Sequence, residues 1–211
     1  MARALVIDVE TSGYDNTSYY AFEGCQEIIQ FSYWYVVEGR IVDYGDMYFK
    51  SRGPYSPDAI GVHGLSKRKV DAMADMYFEG FIPRLKELVS ICTDIVGHNV
   101  SFDIRQIYGY SDIELNKLIE CKNSVCTMRD YPEFSYKLIS GKDKGVVASW
   151  AKLSELASKL INVGKLNLDD LEYDFGMLTG KSSKSHDAMW DSYLTLRCYQ
   201  SLEEMRIANK V

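Results

Sequence analysis

Five side chains stand out for the chemistry they could do together: Asp8, Glu10, Asp103, His186 and Asp191. They fall in three packets, D-V-E at 8–10, G-H-N-V-S-F-D at 97–103 and H-D-A-M-W-D at 186–191. Carboxylates are hard oxygen donors suited to Mg2+ or Mn2+, and a histidine exchanges its proton near neutral pH. Four acids and one histidine in that order are what a two-metal phosphodiester hydrolase requires, provided the packets converge in space.

Taken singly, most of the five have a plainer account. Asp8 and Glu10 are two apart on an expected strand, so they share a face. A strand end dipping into water would explain them as well as a metal does. Asp103 falls in the first turn after Asn99, the expected cap of a helix, where the helix dipole favours an acid by ~0.3–1 kcal/mol. Asp191 is harder to dismiss. Leu194, Cys198 and Leu202 follow it at helical spacing and share its face. An acid at the edge of an apolar face needs a partner, either a lysine or arginine or a cation shared with Asp8. His186 stands at the mouth of the same helix, after an S-S-K-S stretch that reads as a mobile loop over the site. His63 and His98 are alternative metal ligands, but oxygen donors suit phosphoryl chemistry better.

The elements that must position these residues follow from periodicity. Residues 3–9 and 26–37 read as strands, Gly39-Arg40 turns the chain, and 41–49 returns as a third strand. A polar, tyrosine-bearing loop spans 14–24. Apolar spacing predicts a helix over 79–92, and Asp94–Gly97 a short strand. Further helices are expected from Asn99 to about 109, over 112–121, and over 149–161 with Trp150 on the buried side. The last helix runs from about Ser185 to 206. Strands first, then strand and helices alternating, give a mixed sheet with helices packed on it.

Bulk properties narrow the class. The chain has 211 residues, 46% hydrophobic and 26% charged, enough for one domain with a substantial core and no visible boundary. No apolar run approaches the ~20 residues of a membrane span, and Ala4–Ile7 is too short for a signal-peptide core. Five scattered cysteines without a C-x-x-C pair suggest reduced thiols and no zinc site. A cytoplasmic protein is expected. The net charge of −6 argues against coating long duplexes and for gripping one strand end. Lys67-Arg68-Lys69, Lys142/Lys144 and Lys181/Lys184 are the candidate local contacts.

With the packets in hand, the chain resembles the DEDDh 3′–5′ exonucleases, the DnaQ-like group of the ribonuclease H-like fold. D-V-E-T-S-G at 8–13, Q-E-I-I-Q-F-S at 26–32, P-D-A-I-G-V-H-G-L-S at 57–66, G-H-N-V-S-F-D and H-D-A-M-W-D carry the likeness in order over nearly the whole chain. It implies an α/β fold with a central mixed five-stranded sheet flanked by helices, a single exonuclease domain over 1–211. It implies that Asp8, Glu10, Asp103 and Asp191 hold two divalent cations, Mg2+ or Mn2+, about 4 Å apart. His186 would act as general base, so activity should rise from pH 6 to pH 8. Thr11, Ser12, Gly13, His63, Asn99 and Phe102 would line a pocket for the terminal nucleotide. The implied reaction releases nucleoside 5′-monophosphates from the 3′ end of single-stranded DNA. The competing readings are an RNA-trimming or oligoribonucleotide exonuclease, a silent module that binds nucleic acid or a polymerase, and a metal phosphatase on another fold. Members of the group are monomers, dimers or polymerase subunits, so a homodimer or a polymerase or repair partner stays open. The longer 14–24 loop, Asp187, Trp190 and residues 162–184 depart from the family pattern. Tyr14, Tyr19, Tyr20 and Phe22 in that loop are candidates to stack on the strand.

Overall fold

The structure is a computed structural model that describes residues 3–13, 26–141 and 145–208. Five strands, β1 (Arg3–Thr11), β2 (Ile28–Val37), β3 (Arg40–Tyr48), β4 (Asp94–Gly97) and β5 (Asn123–Cys126), form one sheet in the order β3-β2-β1-β4-β5. β2 is antiparallel to β1 and β3, while β4 is parallel to β1 and β5. The mixed five-stranded sheet implied by the resemblance is therefore present. Glu38 and Gly39, both at positive φ (53° and 80°), make the two-residue turn between β2 and β3. Left-handed conformations at both turn positions match the twist of a tight hairpin.

The helices are α1 (Pro57–His63), α2 (Lys67–Met73), α3 (Ile82–Ile91), α4 (Ser101–Tyr108), α5 (Ile113–Glu120), α6 (Pro132–Ser135), α7 (Leu153–Asn162), α8 (Leu168–Thr179) and α9 (Ala188–Ala208). None of them is long and apolar enough to cross a membrane. The two faces of the sheet are read off β1. Leu5, Ile7 and Val9 pack with Phe31, Leu85, Leu88 and Ile107 on one side. Ala4 and Val6 pack with Trp34, Leu160, Tyr193 and Leu194 on the other, under α9. Strand alternation thus assigns odd positions of β1 to α3–α5 and even positions to α9.

Several sequence expectations are corrected. The helix expected over 149–161 begins only at Leu153, because Ser149 and Trp150 end β7 (Gly145–Trp150), paired with β6 (Tyr136–Gly141) in a two-stranded hairpin. Trp150 is 39% exposed and stacks edge-on against Tyr136 rather than lining the core. The β-branched run before it prefers a strand, and the helix starts where the Glu155 carboxylate accepts the Lys152 N–H at 2.7 Å. The segment expected as helix from 79 opens with a 3-10 turn at Phe78–Gly80, and α3 follows with Pro83 in its first turn. Residues 162–184, which depart from the family pattern, contain α8, capped by the Asn167 side chain. The 14–24 loop and its aromatics, and Lys142 and Lys144, lie outside the described residues.

Candidate active site

The even face of β1 changes character along its length. Ala4 and Val6 are apolar, and Asp8 and Glu10 continue the same row into acid. Across the sheet Asp8 pairs in register with Ser32, which pairs with Asp46, while Glu10 pairs with Gln30, which pairs with Tyr48. The carboxyl end of β1 therefore presents a polar patch at the end of an apolar face. Helix α9 covers both parts. Leu194, Cys198 and Leu202, at 6%, 0% and 1% exposure, pack on the apolar part. Its first turn brings Asp191 over the acids.

Carboxylate oxygens of Asp8, Glu10 and Asp191 all lie within 4.8 Å of one another. Asp103 stands outside that trio, 3% exposed on α4. Its Oδ1 accepts the Val9 N–H at 3.1 Å. β4 pairs with β1 only from Ala4 to Val6, so Asp103 supplies the acceptor that the ended strand no longer provides. The turn that delivers it is tight: a Cβ at Gly97 would meet Val100 Cβ at 2.9 Å. Asn99 is corrected here. It sits at φ 71° and does not cap α4 by its side chain; its backbone carbonyl accepts the Phe102 N–H at 2.8 Å.

Electrostatics single out the same four residues. Burial raises the Asp8 carboxyl well above the usual range, and the charges of Asp103, Asp191, Glu10 and Asp187 add to it. Glu10 is raised by burial and by Asp191, Asp103 and Asp187, with Lys184 opposing. Burial pushes Asp103 up to about 8 against the Val9 hydrogen bond, and Asp191 up to about 7 against the bond from the His186 N–H. Among the described residues no lysine, arginine or histidine forms an ion pair with any of the four. Crowded acids without a cationic partner are costly as anions unless a cation neutralises them. All the donors are oxygens, which fits Mg2+ or Mn2+.

His186 is exposed at the rim, with φ 59°. Its backbone N–H donates to Asp191 Oδ2 at 3.0 Å, which ties the histidine to the acid five residues on and leaves the imidazole free of that bond. The other two histidines have structural partners. His63 is 3% exposed; its Nδ1 accepts the Leu65 N–H at 2.9 Å, so Nε2 carries the proton and donates to the Thr11 carbonyl at 3.2 Å. Burial lowers its pKa, consistent with that neutral tautomer. His98 bridges Thr127 Oγ1 and the Ala151 carbonyl, both at 3.0 Å.

Beside the acids a cavity of about 120 Å3 is lined by Glu10, Thr11, Gly13, Val62, His63 and Phe102. Four of the six residues expected to line a nucleotide pocket thus meet at one place. Ser12 is not among them: it is 2% exposed and bonded to Glu27, whose N–H donates to Ser12 Oγ at 3.0 Å. Asn99 is also outside the lining. The sequence reading missed Gln30, Asp46 and Asp187, which surround the acids. Asp187 was visible only as a departure from the family pattern, and Gln30 and Asp46 become visible only through strand register.

A mixed sheet with acids gathered at the carboxyl end of its central strand, and a helix closing over them, defines an α/β protein with an oxygen-donor site of the kind that suits metal-dependent hydrolysis. The chain belongs to the RNase T-type exonuclease family, whose model matches residues 5–199. It is 25% identical over 195 residues to the DNA polymerase III subunit epsilon of Haemophilus influenzae, covering 88% of this chain and 70% of that one. The fold is similar to exonuclease X in complex with 5′-overhanging duplex DNA (TM-score 0.57, 20% identity, 98% of this chain and 93% of that chain). It is also similar to product-bound exonuclease I (TM-score 0.66, 16% identity, 100% of this chain and 46% of that chain). E. coli exonuclease I in complex with a dA16 oligonucleotide gives a TM-score of 0.63 at 18% identity, with 99% of this chain matching 42% of that chain. This chain spans less than half the length of the exonuclease I chains.

Proposed function

We propose that this protein is a metal-dependent 3′–5′ exonuclease that removes nucleoside 5′-monophosphates from the 3′ end of single-stranded DNA. The observation that carries the reading is the convergence of Asp8, Glu10 and Asp191 within 4.8 Å, with Asp103 beside them and His186 at the rim. DNA is favoured because the relatives are a DNA polymerase subunit and exonucleases bound to DNA.

Asp8, Glu10, Asp103 and Asp191 would hold two divalent cations, Mg2+ or Mn2+. Such ions polarise a scissile phosphate and lower the pKa of an attacking water. The rest falls to the chain's own side chains. The cavity beside Glu10 takes the base of the terminal nucleotide, with the Phe102 ring available to stack on it. His186, exposed at the rim, takes the proton of the attacking water on an imidazole nitrogen. The bond between the His186 N–H and Asp191 keeps that base beside the acid cluster as the 3′-oxygen leaves.

The test is shortening of 5′-labelled DNA and RNA oligonucleotides of one sequence with Mn2+, followed by identification of the product. A ladder descending from the 3′ end with 5′-monophosphates released supports the reading. Faster loss of the RNA strand would move the substrate to RNA, and no shortening of either would overturn the activity.

A further inference from the structure

Residues 181–187, which lead into α9 and carry His186, are held at both ends by one buried polar network. Gln30 lies on β2 across from Glu10 and has no exposed surface. Its Nε2 lies within hydrogen-bond distance of Asp46 Oδ1 (2.8 Å), the Tyr48 hydroxyl (3.1 Å) and Asp187 Oδ1 (3.2 Å), so its two N–H groups are shared among three acceptors. Its Oε1 accepts the N–H of Ala188, the first residue of α9, at 3.4 Å. Asp187 Oδ1 also accepts the Met189 N–H at 3.1 Å and so caps the helix. Asp46 accepts the Ser32 hydroxyl at 2.6 Å and pairs with the Lys181 ammonium at the other end of the segment. Nearby, Tyr44 donates to the Leu178 carbonyl at 2.7 Å and Ser183 to Glu172 Oε1 at 2.9 Å. Between these anchors Lys184, Ser185 and His186 are exposed.

A fully buried amide in the middle of a strand is costly unless its bonds are made. An apolar side chain there would serve the sheet as well. What the amide adds is a connection from β2 to the segment that carries His186. We propose that Gln30 is a positioning residue. Through Asp187 and Ala188 on one side, and Asp46 with Lys181 on the other, it restricts the motion of His186 to the five-residue span 182–186 beside Asp8, Glu10 and Asp191. The mobile loop expected from S-S-K-S is then a short arc clamped at both ends. This inference rests on the reading of His186 as the general base.

The test compares Gln30→Met, of similar volume but without the amide, with the unchanged protein. On a 5′-labelled DNA oligonucleotide with Mn2+, kcat should fall at least tenfold while KM stays within twofold. The rise in melting temperature on adding Mn2+ should persist, because Asp191 belongs to a deeply packed helix. In a His186→Ala background the same substitution should change kcat less than twofold, since the group it acts through is gone. Equal losses in both backgrounds, or a loss expressed in KM or in the Mn2+ response, would overturn the proposal. Lys181→Met breaks the outer anchor and should lower kcat at least threefold, with some loss of melting temperature because the nearly buried Asp46 loses its cation. Lys181→Arg, which keeps the charge, should restore both. Histidine-selective NMR reads the clamp without activity. The His186 signal should shift or broaden in Gln30→Met and Lys181→Met while those of His63 and His98 stay in place. An unchanged His186 signal would refute the clamp. If the unaltered protein does not shorten the oligonucleotide, the functional reading fails and the NMR alone decides the clamp.

Discussion

Asp191→Asn should make the metal-free protein more stable at pH 8 while removing its response to metal. The amide keeps the shape of the carboxylate and can still accept the His186 N–H, so packing is preserved. What it removes is one charge from a crowded, partly desolvated cluster. Burial displaces the Asp191 carboxyl from 3.8 to about 7, which at ~1.4 kcal/mol per tenfold sets an upper bound of about 4 kcal/mol. Two effects reduce this. The other acids redistribute their protons when one is removed, and the first turn of α9 loses a favourable dipole interaction of ~0.3–1 kcal/mol. A net gain of about 1–2 kcal/mol remains, or about 2–8 °C in melting temperature for a chain of this size. The sign follows from linkage. Asp191 and Asp103 are raised in the fold, so their contribution to stability is full below the unfolded values near 4. It is lost as pH rises through about 7 and about 8. The advantage of Asp191→Asn should therefore fall to about half by pH 5.5, since it vanishes only below the unfolded value near 4. Thermal unfolding in EDTA and in Mn2+, at both pH values, measures this. In the unaltered protein Mn2+ at 100 times its Kd should add about 2.7 kcal/mol at pH 8 and much less at pH 5.5, because protons compete for the same oxygens. A variant that melts lower in EDTA at pH 8, or that keeps the full Mn2+ response, would refute this account of the cluster.

Three further outcomes are expected. His186→Ala should slow hydrolysis by about 10²–10⁴ while the Mn2+-induced rise in melting temperature remains; loss of that rise would make His186 a ligand. Phe102→Leu, which keeps apolar contact but not the ring, should raise KM for a DNA oligonucleotide about fivefold or more, from ~1–3 kcal/mol of stacking, and an unchanged KM would place the base elsewhere. Ser12→Ala strands the buried Glu27 N–H, so chemical denaturation should show a loss of about 1–3 kcal/mol with kcat close to normal; a selective loss of kcat would return Ser12 to the pocket.

The sequence by itself determined the pieces whose logic is periodic. Two-residue spacing put Asp8 and Glu10 on one face of β1, and helical spacing put Asp191 above Leu194, Cys198 and Leu202. Both relations are local, and local geometry allows few alternatives. Tertiary structure decided the rest, because it depends on which strands meet and in what register. Gln30 acquires a role only when β2 lies between β1 and β3, which sets it between Glu10 and Tyr48. His63 and His98 read as alternative metal ligands in the chain, yet both ring nitrogens of each are committed to partners far away in sequence or held by a turn. Ser12 and Asn99 fell within the right motifs but outside the pocket, since Glu27 and a left-handed turn claim them. The hairpin of β6 and β7 was hidden because a short apolar run beside a helix reads equally well as that helix's first turn. Spacing thus named the acids and the histidine, and the pairing of distant strands decided what holds them together.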